Sequence, residues 1–243
     1  MIKTTTTILD QIRQELRENV EESDTFDSQR FFKETVICYG VRTPVVRAIA
    51  KKYFKEVKQL DKKELFALCE QLLQNRYNEE ATIAIQWASG IAKQFEKSDF
   101  MIFESWLEKY IDNRWKDDDF CLHIIRPMIE KYPELIEQVK SWAHSTNMWQ
   151  RRASAVSFIT TLGGFYATNH NLKDIFVVAE TLLHDPEDLV QKGYGWMLKA
   201  ASIHNQKAIF EFVMKHKATM PRTALRYAIE KLPPNLKKQA MIR

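Results

Sequence analysis

The chain has 243 residues, enough for one large domain or two small ones. Hydrophobic residues are 45% and charged residues 28%, the balance of a soluble globular protein. The 36 Lys+Arg exceed the 32 Asp+Glu by only four, so an attraction to polyanions requires that the cations share a face.

Six glycines, seven prolines and no long Val/Ile/Thr alternation point to a mostly helical chain. Cys38, Cys69 and Cys121 are odd in number, far apart and free of CxxC pairing. That argues against a disulfide framework or thiolate zinc site and for a reducing compartment. Neither terminus carries a signal-like apolar run, and no stretch approaches the ~20 apolar residues of a membrane span. A soluble cytoplasmic protein is expected.

In chain order, Ile8, Ile12, Leu16 and Val20 form one apolar stripe on a first helix. A second is predicted from Phe26 to Ile37, with Phe31 and Phe32 on different faces. Gly40 ends it, Thr43 caps the next helix and Pro44 takes its first position. That helix turns Val45, Val46, Ile49, Ala50 and Phe54 inward and Arg47, Lys51, Lys52 and Lys55 outward. Asp61 with Glu64 opens a helix through Leu73, Asn78 one through Trp87 and Ile91, and Ser98 one through Tyr110.

The stretch Asn113-Arg-Trp-Lys-Asp-Asp-Asp-Phe120 puts three consecutive carboxylates beside a tryptophan in a basic chain. It is either a solvated helix start or a negative point in a positive surface. Helix continues from Phe120 to Glu130, with Pro127 as a kink or boundary. Further helices are expected from Pro133, after an Asn147 cap, from Leu172, from Pro186 capped by Asp185, from Gln206, and a last long one from Pro221. The interval from Gly163-Gly164 to Asn171 reads as a loop.

About a dozen helices joined by short turns is the pattern of stacked helix pairs in an all-α fold. Three segments look alike, at 151–158, 191–198 and 222–229. Each opens with a cation and continues with small residues, which allow close helix approach, and an aromatic. The cation is expected to stay exposed on another face. From Arg152 to Lys192 is 40 residues and from Lys192 to Arg222 is 30, a loose period of the HEAT-like kind.

For chemistry, the six histidines are scattered with no HExxH spacing. Asp117 to Asp119 point about 100° apart on a helix, so they do not converge on one ion. No metal and no cofactor are expected. Neither GxGxxG, Walker A nor G-x-S-x-G is present. Most of the six tryptophans sit at helical spacing among apolar residues, as core residues do. Trp196 differs because Lys192 lies one turn before it, and a cation beside an indole suits a phosphate–sugar backbone. Arg151-Arg152 could be a DNA contact or a solvated pair, and the basic helix around Lys51 reads as plain surface.

Nearly the whole chain resembles the DNA alkylation repair enzyme family, bacterial alkylpurine DNA glycosylases built of HEAT-like repeats. The resemblance runs through Gln29-Arg-Phe-Phe-Lys33, Tyr39-Gly-Val-Arg-Thr-Pro44, Tyr110-Ile-Asp-Asn-Arg-Trp115 and Lys131-Tyr-Pro-Glu-Leu135. It continues through Asn147-Met-Trp-Gln-Arg-Arg-Ala153, Val190-Gln-Lys-Gly-Tyr-Gly-Trp196 and Met220-Pro-Arg-Thr-Ala-Leu-Arg-Tyr227. It implies one domain over residues 1–243, a curved α-solenoid whose concave basic face cups double-stranded, alkylated DNA as a monomer. The implied reaction hydrolyses the N-glycosidic bond of cationic N3- or N7-alkylated purines without base flipping. A carboxylate stabilises the oxocarbenium-like transition state, aromatic faces flank the sugar and an arginine holds phosphate.

Residue by residue, the resemblance implies Arg152 on phosphate and Trp196 beside the lesion, with Arg151 and Lys192 as further DNA contacts. The family's tryptophan and its aspartate four residues on have two registers here. Trp115 with Asp119 keeps both residue types, whereas the ungapped alignment puts Arg114 and Asp118 at those positions. The ungapped register is preferred, because a helix tolerates a substitution better than a slip that rotates its face. Arg114 would then partly neutralise Asp118. The family's N-terminal tyrosine falls on Phe31, which lacks the hydroxyl. Two other readings stay open: a non-catalytic DNA-structure or damage-binding protein of the same fold, and a helical protein–protein scaffold.

Overall fold

A computed structural model describes residues 2–20, 36–159 and 172–242, all helix, turn and irregular backbone with no strand among them. The all-α expectation holds. Contacts divide the chain into two compact units, Met1–Ile124 and Ile125–Arg243. Among the described residues no helix is long and apolar enough to cross a membrane.

The first unit holds α1 (Ile2–Glu18), α2 (Thr43–Val57), α3 (Lys62–Gln74), α4 (Asn78–Gly90), α5 (Phe100–Tyr110) and α6 (Arg114–Phe120). Ile8, Ile12 and Leu16 are buried as their spacing requires, but α1 ends at Glu18 and leaves Val20 exposed beyond it. The predicted helix from Phe26 to Ile37 lies mostly outside the described residues, and Phe31 with it. Val36 and Ile37 are described and are not helical.

Gly40 therefore ends no helix in the described backbone. It sits at φ +92°, the left-handed region that favours glycine, and its N–H and that of Val41 donate to Glu79 Oε1 at 2.9 and 3.1 Å. Arg42, not Thr43, is the N-cap of α2, with no side-chain capping bond. Thr43 is the first helical residue, since Pro44 fits the first turn whether or not a hydroxyl precedes it. Asp61 caps α3 by accepting from Glu64 N at 2.8 Å, as its spacing predicts. Ser98 is not a cap: it lies within a 3-10 turn, Lys97–Asp99, closed by Glu96 N donating to Asp99 Oδ2 at 2.8 Å.

Trp87 pins α4 to α2. It is fully buried and its Nε1 donates to the Ala50 carbonyl at 2.9 Å, so the indole fills the core without stranding a donor. Phe66, Phe95, Phe103 and Trp106 complete this core, with Phe103 edge-on to Phe66 at 5.4 Å.

After α6 comes a π-helical turn, Cys121–Ile125, and then α7 (Arg126–Lys131) with Pro127 in its first turn. The boundary expected at Pro127 is this one: a wider turn accommodates a residue that lacks an N–H.

The second unit continues with α8 (Ile136–Ser141), α9 (Met148–Val156), α10 (Leu172–Thr181), α11 (Asp188–Ser202), α12 (Gln206–His216), α13 (Arg222–Ala228) and α14 (Pro234–Met241). Asn147 caps α9 by accepting from Trp149 N at 2.9 Å. α11 starts at Asp188 rather than Pro186, and Glu187 is its N-cap. The single long helix expected from Pro221 is two, because Pro233 and Pro234 interrupt it.

The three look-alike segments are neighbours in space: α11 packs against both α9 and α13. A Cβ on Gly195 would stand 2.8 Å from Tyr227 Cβ and 2.9 Å from the Ala224 carbonyl, so only a glycine lets α13 come this close. A Cβ on Gly193 would meet Arg152 Cγ at 3.2 Å. The cations do not behave alike, however. Arg222 is exposed and Lys192 half-buried, while Arg152 is buried under α11, its aliphatic stem packing on the space that Gly193 leaves.

Candidate functional site

The acidic stretch forms α6, and its first turn is locked to the α3–α4 turn and the start of α4. Asn113 caps the helix by accepting from Lys116 N at 3.1 Å and donates to Asn78 Oδ1 at 2.8 Å. Lys116 is 2% exposed, and its ammonium donates to the Arg76 carbonyl at 2.7 Å and to Asp112 Oδ1 at 2.8 Å. Arg76 stands at φ +63°, uncommon for a non-glycine residue, in the turn between α3 and α4. The Lys116 bond anchors its carbonyl there. Burial holds the Lys116 ammonium below the ordinary lysine range, and the Asp112 carboxylate opposes that shift.

Asn113, Lys116, Asp117 and Phe120 are all buried and define the inner face of α6. The outer face carries two columns, Arg114 with Asp118 and Trp115 with Asp119, each one turn apart. Asp117 is thus a core residue, and the other two carboxylates are half-buried. Among the described residues no cluster of three ligating side chains is placed to hold a metal ion.

The two outer columns differ. Asp119 lines a cleft of about 340 Å³ with Arg47 of α2, Thr82, Ile85, Gln86 and Ser89 of α4, and His123 of the π turn. Its Oδ1 lies 2.9 Å from His123 Nδ1. Asp118 does not line this cleft. A second cleft of about 400 Å³ shares Arg47 and Gln86 and runs over Lys51, Phe54, Trp87 and Gly90. The α2 cations that read as plain surface therefore wall two concavities.

At the start of α4, Glu80 is fully buried and accepts from Tyr39 Oη at 2.7 Å, from Asn75 Nδ2 at 2.9 Å and from Arg13 at 3.4 Å. Burial, reinforced by Glu80, pushes the Tyr39 phenol up, so it stays a donor. Two carboxylates in the first turn suit a helix N-terminus, which is the only local sign of them in the sequence. Their partners lie up to 67 residues away and leave no such sign.

In the second unit, Arg151 and Arg152 separate. Arg151 Nε donates to Asp185 Oδ2 at 2.6 Å and Nη2 to Oδ1 at 3.3 Å, and Nη1 takes the Ser145 and Thr146 carbonyls. Asp185, expected as a helix cap, instead balances that guanidinium while accepting from Glu187 N at 3.0 Å. Arg152 is 2% exposed, and its Nη1 donates to the Leu189 carbonyl. Lys192 pairs with Asp188 at 2.6 Å, and half-buried Trp196 follows one turn later on α11. Of the six tryptophans, Trp87, Trp106, Trp142 and Trp149 are core, whereas Trp115 is 37% exposed and Trp196 half-buried.

The first unit thus carries a carboxylate column beside a cleft, and in the second α11 carries Lys192 one turn before Trp196. Comparison with family models matches residues 12–232 to the DNA alkylation repair enzyme family, and the chain belongs to it. The family is one of DNA repair enzymes, which makes DNA the implied partner. A solved structure titled a predicted DNA alkylation repair enzyme, from Enterococcus faecalis, is similar at a TM-score of 0.75. It is 17% identical, over 85% of this chain and 93% of that one, a likeness of fold. No curated protein matches the sequence.

Proposed function

We propose that the protein is an alkylpurine DNA glycosylase that hydrolyses the N-glycosidic bond of cationic N3- or N7-alkylated purines in duplex DNA, with Asp119 as its catalytic carboxylate. One observation carries the choice of residue: Asp119 lines a cleft beside Arg47 and Gln86, and exposed Trp115 shares its column. The alkylated base is already a cation and a good leaving group, so the enzyme's task is to stabilise positive charge growing on the deoxyribose. A carboxylate held in a partly dry cleft does that, and it helps to orient the attacking water. Trp115 offers an aromatic face to the same charge. This reading reverses the preference for Asp118, which an ungapped register favours but the cleft does not.

On α11, Lys192 and Trp196 are the direct DNA contacts of this reading, a cation for phosphate and an indole for sugar or base. Arg152 braces α11 through the Leu189 carbonyl, and its 2% exposure leaves Lys192 and Trp196 the more accessible pair. Arg151 is committed to Asp185 and serves the scaffold.

The test is release of 7-methylguanine and 3-methyladenine from methylated duplex. Asp119→Asn is expected to lose about 10²–10³-fold in rate, while Asp118→Asn stays near wild type. Loss confined to Asp118→Asn would reject the assignment to Asp119. A second reading, DNA binding without excision, draws on Arg47 and His123, whose charges can offset the Asp119 carboxylate. Salt-dependent duplex binding with no release by wild type would favour it.

A further inference from the structure

His123 stands one turn beyond Asp119, on the π-helical turn that follows α6. Such turns displace a side chain from the face an α-helix would give it, and they recur at functional sites. Its Nδ1 lies 2.9 Å from Asp119 Oδ1 and 2.9 Å from the Asp119 carbonyl oxygen. A peptide carbonyl and an ionised carboxylate can only accept, so Nδ1 carries the ring proton. One N–H is shared between the two oxygens and draws the carboxylate over its own backbone. The Asp119 side chain is 15% exposed and that of His123 47%, so the imidazole reaches water while the carboxylate is largely screened from it.

We propose that His123 is a positioning residue for Asp119: its Nδ1–H fixes the carboxylate in the cleft, and protonation at Nε2 sets a cation against that carboxylate and weakens its action on deoxyribose. This rests on the glycosylase reading above. The charged or titratable residues lining the cleft are Arg47 from α2, Asp119 from α6 and His123 itself. α4 contributes only Thr82, Ile85, Gln86 and Ser89. Arg47 stays cationic at every working pH, so among these lining residues the imidazole is the one whose ordinary range lies near neutrality.

The experiment measures 7-methylguanine release from methylated duplex between pH 5.5 and 8, corrected for spontaneous loss. The variants are His123→Ala, His123→Gln and Asp119→Asn. Wild type is expected to lose activity on the order of tenfold from pH 7.5 to 5.5, in kcat rather than KM. His123→Ala loses about tenfold at pH 7.5, as a carboxylate deprived of one charge-assisted hydrogen bond should. His123→Gln, whose amide can still donate, recovers most of that loss and has no acidic limb.

Full activity in His123→Ala, or an acidic limb retained in His123→Gln, overturns the inference and leaves the glycosylase reading standing if Asp119→Asn is dead. An active Asp119→Asn, or a wild type that releases nothing, removes that reading and the inference with it. A readout independent of activity is the ring-nitrogen spectrum of wild type at pH 8, assigned by comparison with His123→Gln. An Nδ1–H tautomer is expected, and an Nε2–H tautomer overturns the inference.

Discussion

Two regions carry the family's candidate residues, and they are held in place by opposite means. Around α6 the lock is polar: Asn113, Lys116 and Arg76 fix the helix start through hydrogen bonds and a buried ammonium. Around α11 the lock is steric, made chiefly by Gly195, which lets α13 close on it. A steric lock resists added volume and ignores pH. A polar lock tolerates small changes of shape and answers to charge. The contrast suits the tasks of the proposed function, in which α6 holds a carboxylate in a set orientation and α11 keeps a cation and an indole on a rigid rod.

The largest effect tests the steric side. Gly195→Ala places a methyl 2.8 Å from Tyr227 Cβ and 2.9 Å from a backbone carbonyl, neither the end of a flexible side chain. The clash should outweigh the gain in helix propensity and cost about 2 kcal/mol, read as a lower midpoint in urea at unchanged slope. Gly193→Ala is its control. Its nearest neighbours are the Cγ and Nη1 of Arg152 at 3.2 and 3.3 Å, which need give only a few tenths of an ångström, so the loss should be smaller than at Gly195. Equal losses at the two positions would refute a lock set by Ala224 and Tyr227.

The polar side comes next. Asn113→Ala removes the cap oxygen from Lys116 N and the donor from Asn78, and should cost about 1–2 kcal/mol. Asn113→Ser keeps a cap oxygen and loses the amide donor, which also serves Asp112 Oδ1 at 3.0 Å. It should recover part of the loss in the same urea titration; no recovery would mean that the amide donor's bonds, not the cap, hold α6.

Much of this architecture is readable without coordinates, and the failures share a cause. Asp61 and Asn147 cap where their spacing says, because a cap bonds within three residues of itself. The three look-alike segments were recognisable because small residues at helical spacing have one main use. Lys116 and Arg152 escaped because their acceptors, the Arg76 and Leu189 carbonyls, lie 40 and 37 residues away. A lysine amid aspartates reads as a solvated charge until α4 is packed beside it. Periodicity turns Asp118 and Asp119 both outward, and only the packing of α2 and α4 beside them puts Asp119 in a cleft. The spacing of Asp119 and His123 was the missed signal, since four residues on a helix is the distance at which side chains meet.

The smallest effect concerns Lys116 and separates the two locks by pH. Replacing Lys116 with Met removes two hydrogen bonds but also the cost of burying a charge, and Asp112 is exposed enough to rehydrate. The net change at pH 7 should be about 1 kcal/mol or less. The pH dependence is the sharper test. The folded-state pKa of Lys116 lies below the ordinary lysine value of 10.5, so between the two values the unfolded chain binds more protons than the folded one. Stability contributed by this group must therefore rise with pH across that window, as the buried ammonium is relieved of its charge. The difference in unfolding free energy, wild type minus Lys116→Met, should grow as pH is raised from 7 towards 10.5. The same difference taken for Gly195→Ala should stay flat. A flat difference for Lys116→Met would mean that the ammonium reaches water in the folded protein, and that α6 is held by its Asn113 cap alone.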